Sequence, residues 1–174
     1  LPAGGPPRQP ELGDLDGDGQ PELLLGGDDG SVQLLRVGHC LNGSCLEAAE
    51  PLTVDGQPLQ GAGPATPRLA DWDGDGRLDL LLAGGDGTVR LYLGAPEGLW
   101  GGGVLLQGDA GTHGLLALDW DDDGLLDLLR LDADGTPMLH RGQDDVAPLA
   151  PAGERLSAGP GAPLAPAAAL LAGD

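Results

Sequence analysis

The stretch Asp71-Trp72-Asp73-Gly74-Asp75-Gly76-Arg77-Leu78-Asp79 restricts what this chain can fold into more than any other. Its carboxylates stand at positions 1, 3, 5 and 9 of nine, with glycine at positions 4 and 6. Asp14-Leu15-Asp16-Gly17-Asp18-Gly19-Gln20-Pro21-Glu22 follows the same plan, as does Asp119-Trp120-Asp121-Asp122-Asp123-Gly124-Leu125-Leu126-Asp127. Three copies in one chain make a repeat, and repeats build by stacking similar units rather than by folding around one central core.

Carboxylates packed this densely repel one another. At ~4 Å a like-charge pair costs about 1 kcal/mol in water, and several times that where water is partly excluded. A cation among them removes the cost. Hard oxygen donors without sulfur or imidazole select Ca²⁺, Mg²⁺ or Mn²⁺. The candidate ligands are Asp14, Asp16, Asp18 and Glu22 in the first loop, Asp71, Asp73, Asp75 and Asp79 in the second, and Asp119, Asp121, Asp123 and Asp127 in the third. Position 7 (Gln20, Arg77, Leu125) adds a backbone carbonyl. With water this reaches the roughly 6–8 oxygens that Ca²⁺ takes, whereas Mg²⁺ prefers a tighter octahedron and ranks second. About three Ca²⁺ ions are expected. The position-6 glycines Gly19, Gly76 and Gly124 let the chain turn sharply around an ion. An EF-hand is excluded, because that loop closes on a bidentate Glu at position 12, where this chain has Leu25, Leu82 and Arg130. The competing reading is a solvated acidic turn, since Asp-Gly pairs favour turns for local reasons. The shared register of three loops favours metal.

Each loop leads into an apolar run, a turn and a second β-like run. Copy two reads Leu78–Ala83, Gly84-Gly85-Asp86-Gly87, then Thr88–Leu93; copies one and three repeat it over 23–37 and 126–140. Asp-Gly turns between apolar runs predict hairpins. The first run is nearly all Leu rather than alternating, which predicts a strand buried on both faces.

Loop, Leu-rich strand, Gly-Asp turn and second strand together resemble the FG-GAP/VCBS repeats of β-propellers, including those of integrin α-subunits. The resemblance covers about 25 residues in each copy. It implies an all-β chain of about three four-stranded antiparallel blades, with one Ca²⁺ per loop at a blade edge. This chain departs from the family pattern in having no Phe-Gly pair before the loops. Glu22 also stands where the others have Asp, and Asp122 where they have Gly17 and Gly74.

The blade repeats are expected at about 11–70, 71–118 and 119–174 of a single propeller segment, with residues 1–10 a linker or edge segment because Pro recurs there. Residues 46–70, 97–118 and 142–174 would then supply outer strands, the last stretch being Pro-, Ala- and Gly-rich. Leu171-Ala172-Gly173-Asp174 resembles the approach to the third loop, Leu116-Ala117-Leu118-Asp119, so Asp174 is read as the start of a fourth loop. Loop starts at 14, 71, 119 and 174 are 57, 48 and 55 residues apart, which suits blades of four short strands. Three blades cannot close a ring of roughly 4–8, so further blades from the same or another chain are expected. The chain begins with Leu rather than Met, which reads as a processed product or a fragment.

Cys40 and Cys45, the only cysteines, flank Leu41-Asn42-Gly43-Ser44. An Asn-Gly turn brings such a pair within reach of a disulfide. The alternatives are two free thiols or a soft-metal site with His39. Asn42-Gly43-Ser44 is also a glycosylation acceptor pattern. A disulfide and a glycan in one loop place the protein at the cell surface or outside the cell.

Of the 28 acids, 13 lie in the three loops, and the net charge is −20. Three Ca²⁺ would reduce it to about −14. So acidic a chain, without a basic cluster, excludes nucleic acid and anionic membranes as partners. No apolar run of about 18 residues predicts a membrane span. The core must come from Leu, Val and Ala, because Phe and Ile are absent.

Trp72 and Trp120 hold loop position 2, and Leu15 holds it in copy one, so packing between blades is favoured over sugar stacking. Trp100 is less constrained. His39, His113 and His140 are scattered, and no local pattern builds a nucleophilic triad. Paired carboxylates suited to glycoside chemistry are better explained as ligands. The expected function is therefore non-enzymatic calcium binding by an extracellular module, with a structural or adhesive role toward a protein or glycan partner. The alternative is a carbohydrate-binding module or an accessory part of a polysaccharide-active enzyme.

Overall fold

The structure, a computed structural model, describes residues 8–40, 43–96, 98–107, 114–132, 134–143, 149 and 153–156. Asn42, His113 and Asp174 lie outside the described residues, as do the side chains of His39, Cys40 and Trp100. The described chain is all-β, in propeller-like sheets.

The first sheet is built from β1 (Arg8–Gly13), β2 (Glu22–Gly26) and β3 (Val32–Leu35). The hairpin β4 (Val37–Cys40) and β5 (Gly43–Leu46) follows, and β6 (Glu50–Pro51) completes the sheet in the order β1-β2-β3-β6. Next come the short β7 (Thr53–Val54) and β8 (Gln57–Pro58), then β9 (Thr66–Ala70), β10 (Asp79–Ala83), β11 (Thr88–Ala95) and β12 (Gly98–Gln107). These six form the second sheet, ordered β8-β7-β12-β11-β10-β9. The third is β13 (Gly114–Leu118), β14 (Asp127–Leu131), β15 (Pro137–His140) and β16 (Glu154–Arg155).

Two features differ from the strand assignment read from sequence. Thr66–Ala70 is the first strand of the second sheet, not an outer strand of the first, because the strand entering each loop pairs antiparallel with the strand leaving it. The pair β7–β8 extends the second sheet through the parallel contact of Val54 with Leu99. The sheets are therefore offset from the loop-to-loop spans 11–70, 71–118 and 119–174.

The expected hairpins form. Each turns through an Asp-Gly-Ser/Thr corner. Asp29, Asp86 and Asp134 accept the N–H of Ser31, Thr88 and Thr136 two residues on. The glycine between them takes φ between 79° and 88°, which favours glycine. The serine or threonine hydroxyl holds each of these carboxyls below the ordinary aspartate range.

Strand β9 lies between β1 and β13, so the sheets stack in chain order. Alternate residues of β10 face opposite neighbours. Leu80 and Leu82 join Leu24, Val32 and Leu34 of the first sheet in one core. Leu81 and Ala83 join Leu115 and Leu128 of the third in another. All five residues of β10 are buried, whereas β2 and β14 bury every other residue or little more. The expected two-sided burial thus holds for the sheet with a neighbour on each side. At about 1.5–3 kcal/mol for each fully buried Leu, β10 is the most strongly anchored strand.

Candidate metal centre

The three loops span the turns between β1 and β2, β9 and β10, and β13 and β14. Their backbones are nearly superimposable in kind. Position 4 takes φ of 74°, 73° and 59° at Gly17, Gly74 and Asp122, and position 6 takes 86°, 87° and 89° at Gly19, Gly76 and Gly124. Asp122 adopts a left-handed conformation that aspartate tolerates better than most residues, which is how the third copy keeps the loop without its glycine.

Position 1 shapes the loop from inside. Asp14 accepts the N–H groups of Gly17, Asp18 and Gly19; Asp119 accepts those of Asp123 and Gly124. Among the described residues Asp71 accepts only from Gly76, at 2.9 Å through Oδ2. Position 5 accepts the position-7 N–H in each copy, at 2.7–2.9 Å. Gln20, Arg77 and Leu125 therefore have their backbones oriented, as a position-7 carbonyl donor requires.

Carboxylate oxygens gather within 4.8 Å of one another in each copy. The groups are Asp14, Asp16 and Asp18; Asp71, Asp73 and Asp79; and Asp119, Asp121 and Asp127. Glu22 is not part of the first group, and Asp75 and Asp123 stand outside the tightest set of theirs. Arg77 accounts for part of this by pairing with Asp75.

The closing acid does more than ligation requires. Asp79 is fully buried. Its Oδ2 accepts from the N–H of Trp72 at 2.7 Å and of Asp73 at 3.4 Å, and its Oδ1 from Gly94 N–H at 2.7 Å. It ties the loop entrance to the end of β11. Asp127 repeats this with Trp120 and Gly142. Among the described residues Glu22 accepts only from Leu15, at 2.8 Å. Burial pushes the Asp79 carboxyl above its ordinary value, Gly94 and Trp72 pull it down, and the charge of Asp73 pushes it up again. Burial also raises Glu22, the Leu15 amide offsets part of this, and Asp16, Asp18 and Asp14 add repulsion.

Do these residues fit a divalent cation? In the second loop Asp71 Oδ1 is buried and has no hydrogen-bond partner among the described residues. A dehydrated anionic oxygen without a donor is costly. Three carboxylates converging on hard-oxygen coordination would satisfy it through a cation. The donor set fits Ca²⁺.

Sequence reasoning missed Arg141. Its guanidinium sits 2.7 Å from Asp121 and 3.5 Å from Asp127, inside the third acidic group. The equivalent residues are Arg36 in the first copy and Leu93 in the second. The signal was an Arg fourteen positions after the closing acid in two copies of three. Arg36 pairs with Glu50 and, with Asp16 and Glu22, lines a cavity of about 500 Å³ beside the first loop.

Position 2 packs as expected in two copies. Leu15 lies against the core between the first and second sheets, and Trp72 against that between the second and third. Trp120 is 46% exposed.

A family model for the FG-GAP-like repeat matches residues 14–82 and 71–130. No curated protein and no solved structure matches the chain.

Proposed function

The chain belongs to the FG-GAP-like repeat family, and from that premise we propose that it is a calcium-binding β-propeller module, non-catalytic, working outside the cell or on its surface. The observation that carries the calcium reading is the orphaned Asp71 Oδ1 inside the group formed with Asp73 and Asp79. Asp71, Asp73 and Asp79 would hold the ion in the second loop. Asp14, Asp16 and Asp18 would hold it in the first, and Asp119, Asp121 and Asp127 in the third. Bound there, Ca²⁺ supplies charge neutralisation and fixes the loop that leads into each buried strand. The chain's own residues supply the rest: Asp79 and Asp127 clamp the loop entrance to the hairpin end, and the position-5 acid orients the position-7 backbone.

The role this supports is structural, in adhesion or protein interaction at an extracellular surface, with a protein or glycan partner. Secretion rests on the cysteine pair and the Asn42 sequon. In the β4–β5 hairpin Cys45 pairs with Gly38 and Cys40 with Gly43, so Cys40 and Cys45 are diagonal neighbours. Extracellular modules bind Ca²⁺ at about 10⁻⁴–10⁻³ M, and that range is expected here.

A thermal melt in millimolar Ca²⁺ and again in chelator tests the reading. Stabilisation should grow with free Ca²⁺, by about 2.7 kcal/mol per site at roughly a hundredfold over Kd. Identical melts would leave the loops as acidic turns and end the calcium reading.

A further inference from the structure

The first junction between sheets is packed differently from the second. At the second, loop position 2 is Trp72, and the residue fourteen places after the closing acid is Leu93; both pack on the core between the second and third sheets. At the first, the same two places hold Leu15 and Arg36. A leucine there leaves unfilled the volume that an indole would take, and Arg36 pairs with Glu50 instead of packing inward. The result is the cavity of about 500 Å³ beside the first loop. Ligand sites fall in the range of roughly 300–1,000 Å³.

The floor of this cavity is apolar. Leu15, Leu34, Leu52 and Leu99 line it, and all four belong to the first core or pack against it. Its polar wall is acidic: among the described residues Asp16, Glu22, Glu50 and Asp55 stand against Arg36 alone. Glu22 is the telling member, because it is only 3% exposed. In the other copies the closing acid gives one oxygen to the loop entrance and the other to the hairpin end. Asp79 Oδ1 accepts from Gly94, and Asp127 Oδ1 from Gly142. The corresponding residue of the first copy is Val37, which is held in the β4–β5 hairpin opposite Leu46. Glu22 therefore accepts from Leu15 through Oε2, and among the described residues nothing donates to Oε1. The first acidic group does not use it either, being formed by Asp14, Asp16 and Asp18. A buried carboxylate short of a donor, at the wall of a cavity, is stabilised by a cation that brings donors of its own.

We propose that this cavity binds an ammonium or guanidinium group carried on an apolar stem. The head meets Glu22 and the acidic wall, and the stem lies on the leucine floor. Lysine and arginine side chains have this form, and so do free organic cations. Four carboxylates against one guanidinium disfavour an anion. A wholly apolar ligand would leave Glu22 without its missing donor. The site gives the interaction role proposed above a partner chemistry and rests on that role, but not on calcium.

Titration calorimetry of the full chain, in saturating Ca²⁺ and again in chelator, tests it. The probe is n-butylguanidinium, with n-butylurea as its uncharged isostere. The guanidinium should bind under both conditions, and the urea about tenfold more weakly or worse. Glu22→Gln should weaken binding by about the same factor. Leu15→Trp, which gives the first loop the position-2 residue of the other two, should abolish binding by filling the cavity. Arg36→Leu should strengthen it, because Glu50 loses its partner and the ligand loses a like charge; damage to the fold would not act in that direction. Circular dichroism checks that each variant keeps its sheets. A pentapeptide with one central arginine that binds more tightly than the free guanidinium points to a protein partner, and the reverse order to a small soluble cation. No binding, equal binding of guanidinium and urea, or binding untouched by Glu22→Gln and Leu15→Trp overturns the proposal. So does binding seen only in chelator, which would show the cation standing in for Ca²⁺ in the loops. Loss of this site beside a calcium-dependent melt leaves the calcium reading intact; binding without such a melt does the opposite.

Discussion

The second and third acidic loops offer the same ligand positions to different neighbours. Beside Asp79 stands Leu93, packed on the core between the second and third sheets. Beside Asp127 stands Arg141, which reaches Asp121 as well. In the second loop Arg77 pairs with Asp75, outside the converging group of Asp71, Asp73 and Asp79, and among the described residues that group keeps an orphaned oxygen. The third already contains a cation of its own. The ligand positions set what a loop can bind, and the residue after the second hairpin strand sets how much it needs to. The first loop adds a further contrast: Glu22 reaches Leu15 but makes no second anchor to the hairpin end.

The largest effect that separates these loops should come from the closing acid. Asp79→Ala leaves three part-buried amide donors without that acceptor. At roughly 1–3 kcal/mol per orphaned group, the loss should be about 3 kcal/mol or more. Glu22→Ala orphans one, so its loss should be about a third of that. Urea midpoints of the calcium-free proteins measure both. Equal losses would mean that the Gly94 anchor contributes nothing and that the two loops do not differ in this way.

pH tests the same comparison through charge. The Asp79 carboxyl is raised above 3.8 and that of Glu22 above 4.5. A raised folded-state value means that the folded protein binds the proton more tightly. That contribution is complete below the unfolded values and is lost as pH rises through the folded ones. Calcium-free protein should therefore lose this stability as pH rises above about 4. Calcium-loaded protein should not, so the gap between the two melting curves should widen with pH. Asp79→Asn should narrow the gap more than Glu22→Gln. A gap independent of pH would show that the buried carboxylates are not where protons and calcium compete.

How much of this was legible in the sequence follows from the range of each signal. The loops, hairpin turns and leucine strands were legible because their causes are local. Asp-Gly corners demand glycine's φ, and carboxylates at positions 1 and 3 are brought together by the loop itself in each copy. The packing role of position 2 was legible from Leu15 standing where Trp72 and Trp120 stand. Two things were not. Assigning Thr66–Ala70 to the second sheet required knowing that the strand entering a loop pairs with the one leaving it, a non-local choice. Arg141 was invisible as a site residue because it lies fourteen positions beyond Asp127, on a different strand, and only antiparallel pairing brings it back. The anchoring of Asp79 to Gly94 was hidden for the same reason.

Arg141→Leu converts the third loop toward the second. The guanidinium is about one-third exposed, and an ion pair of that kind contributes roughly 0–1 kcal/mol. Removing it should tighten calcium binding at the third site by up to about fivefold. Titration calorimetry should show this as one changed site among several. Weaker binding would mean that Arg141 organises the carboxylates rather than competing for them.

The smallest effect belongs to Glu22→Asp, which gives the first loop the closing residue of the other two. The shorter side chain should draw its carboxylate back toward the loop entrance. It cannot recreate the second anchor, because β3 ends at Leu35 and the chain turns at once into the β4–β5 hairpin. The residue in the place of Gly94 and Gly142 is Val37, which is already paired with Leu46. The stability change should stay under about 1 kcal/mol, the worth of one ordinary hydrogen bond. Calcium affinity at the first site should rise only a few-fold, because Glu22 lies outside the group of Asp14, Asp16 and Asp18 and Arg36 lines the cavity beside the loop. Suppose instead that Glu22→Asp alone brings the first site level with the second. Then one methylene explains the whole difference, and the arginine beside the loop has no part in it.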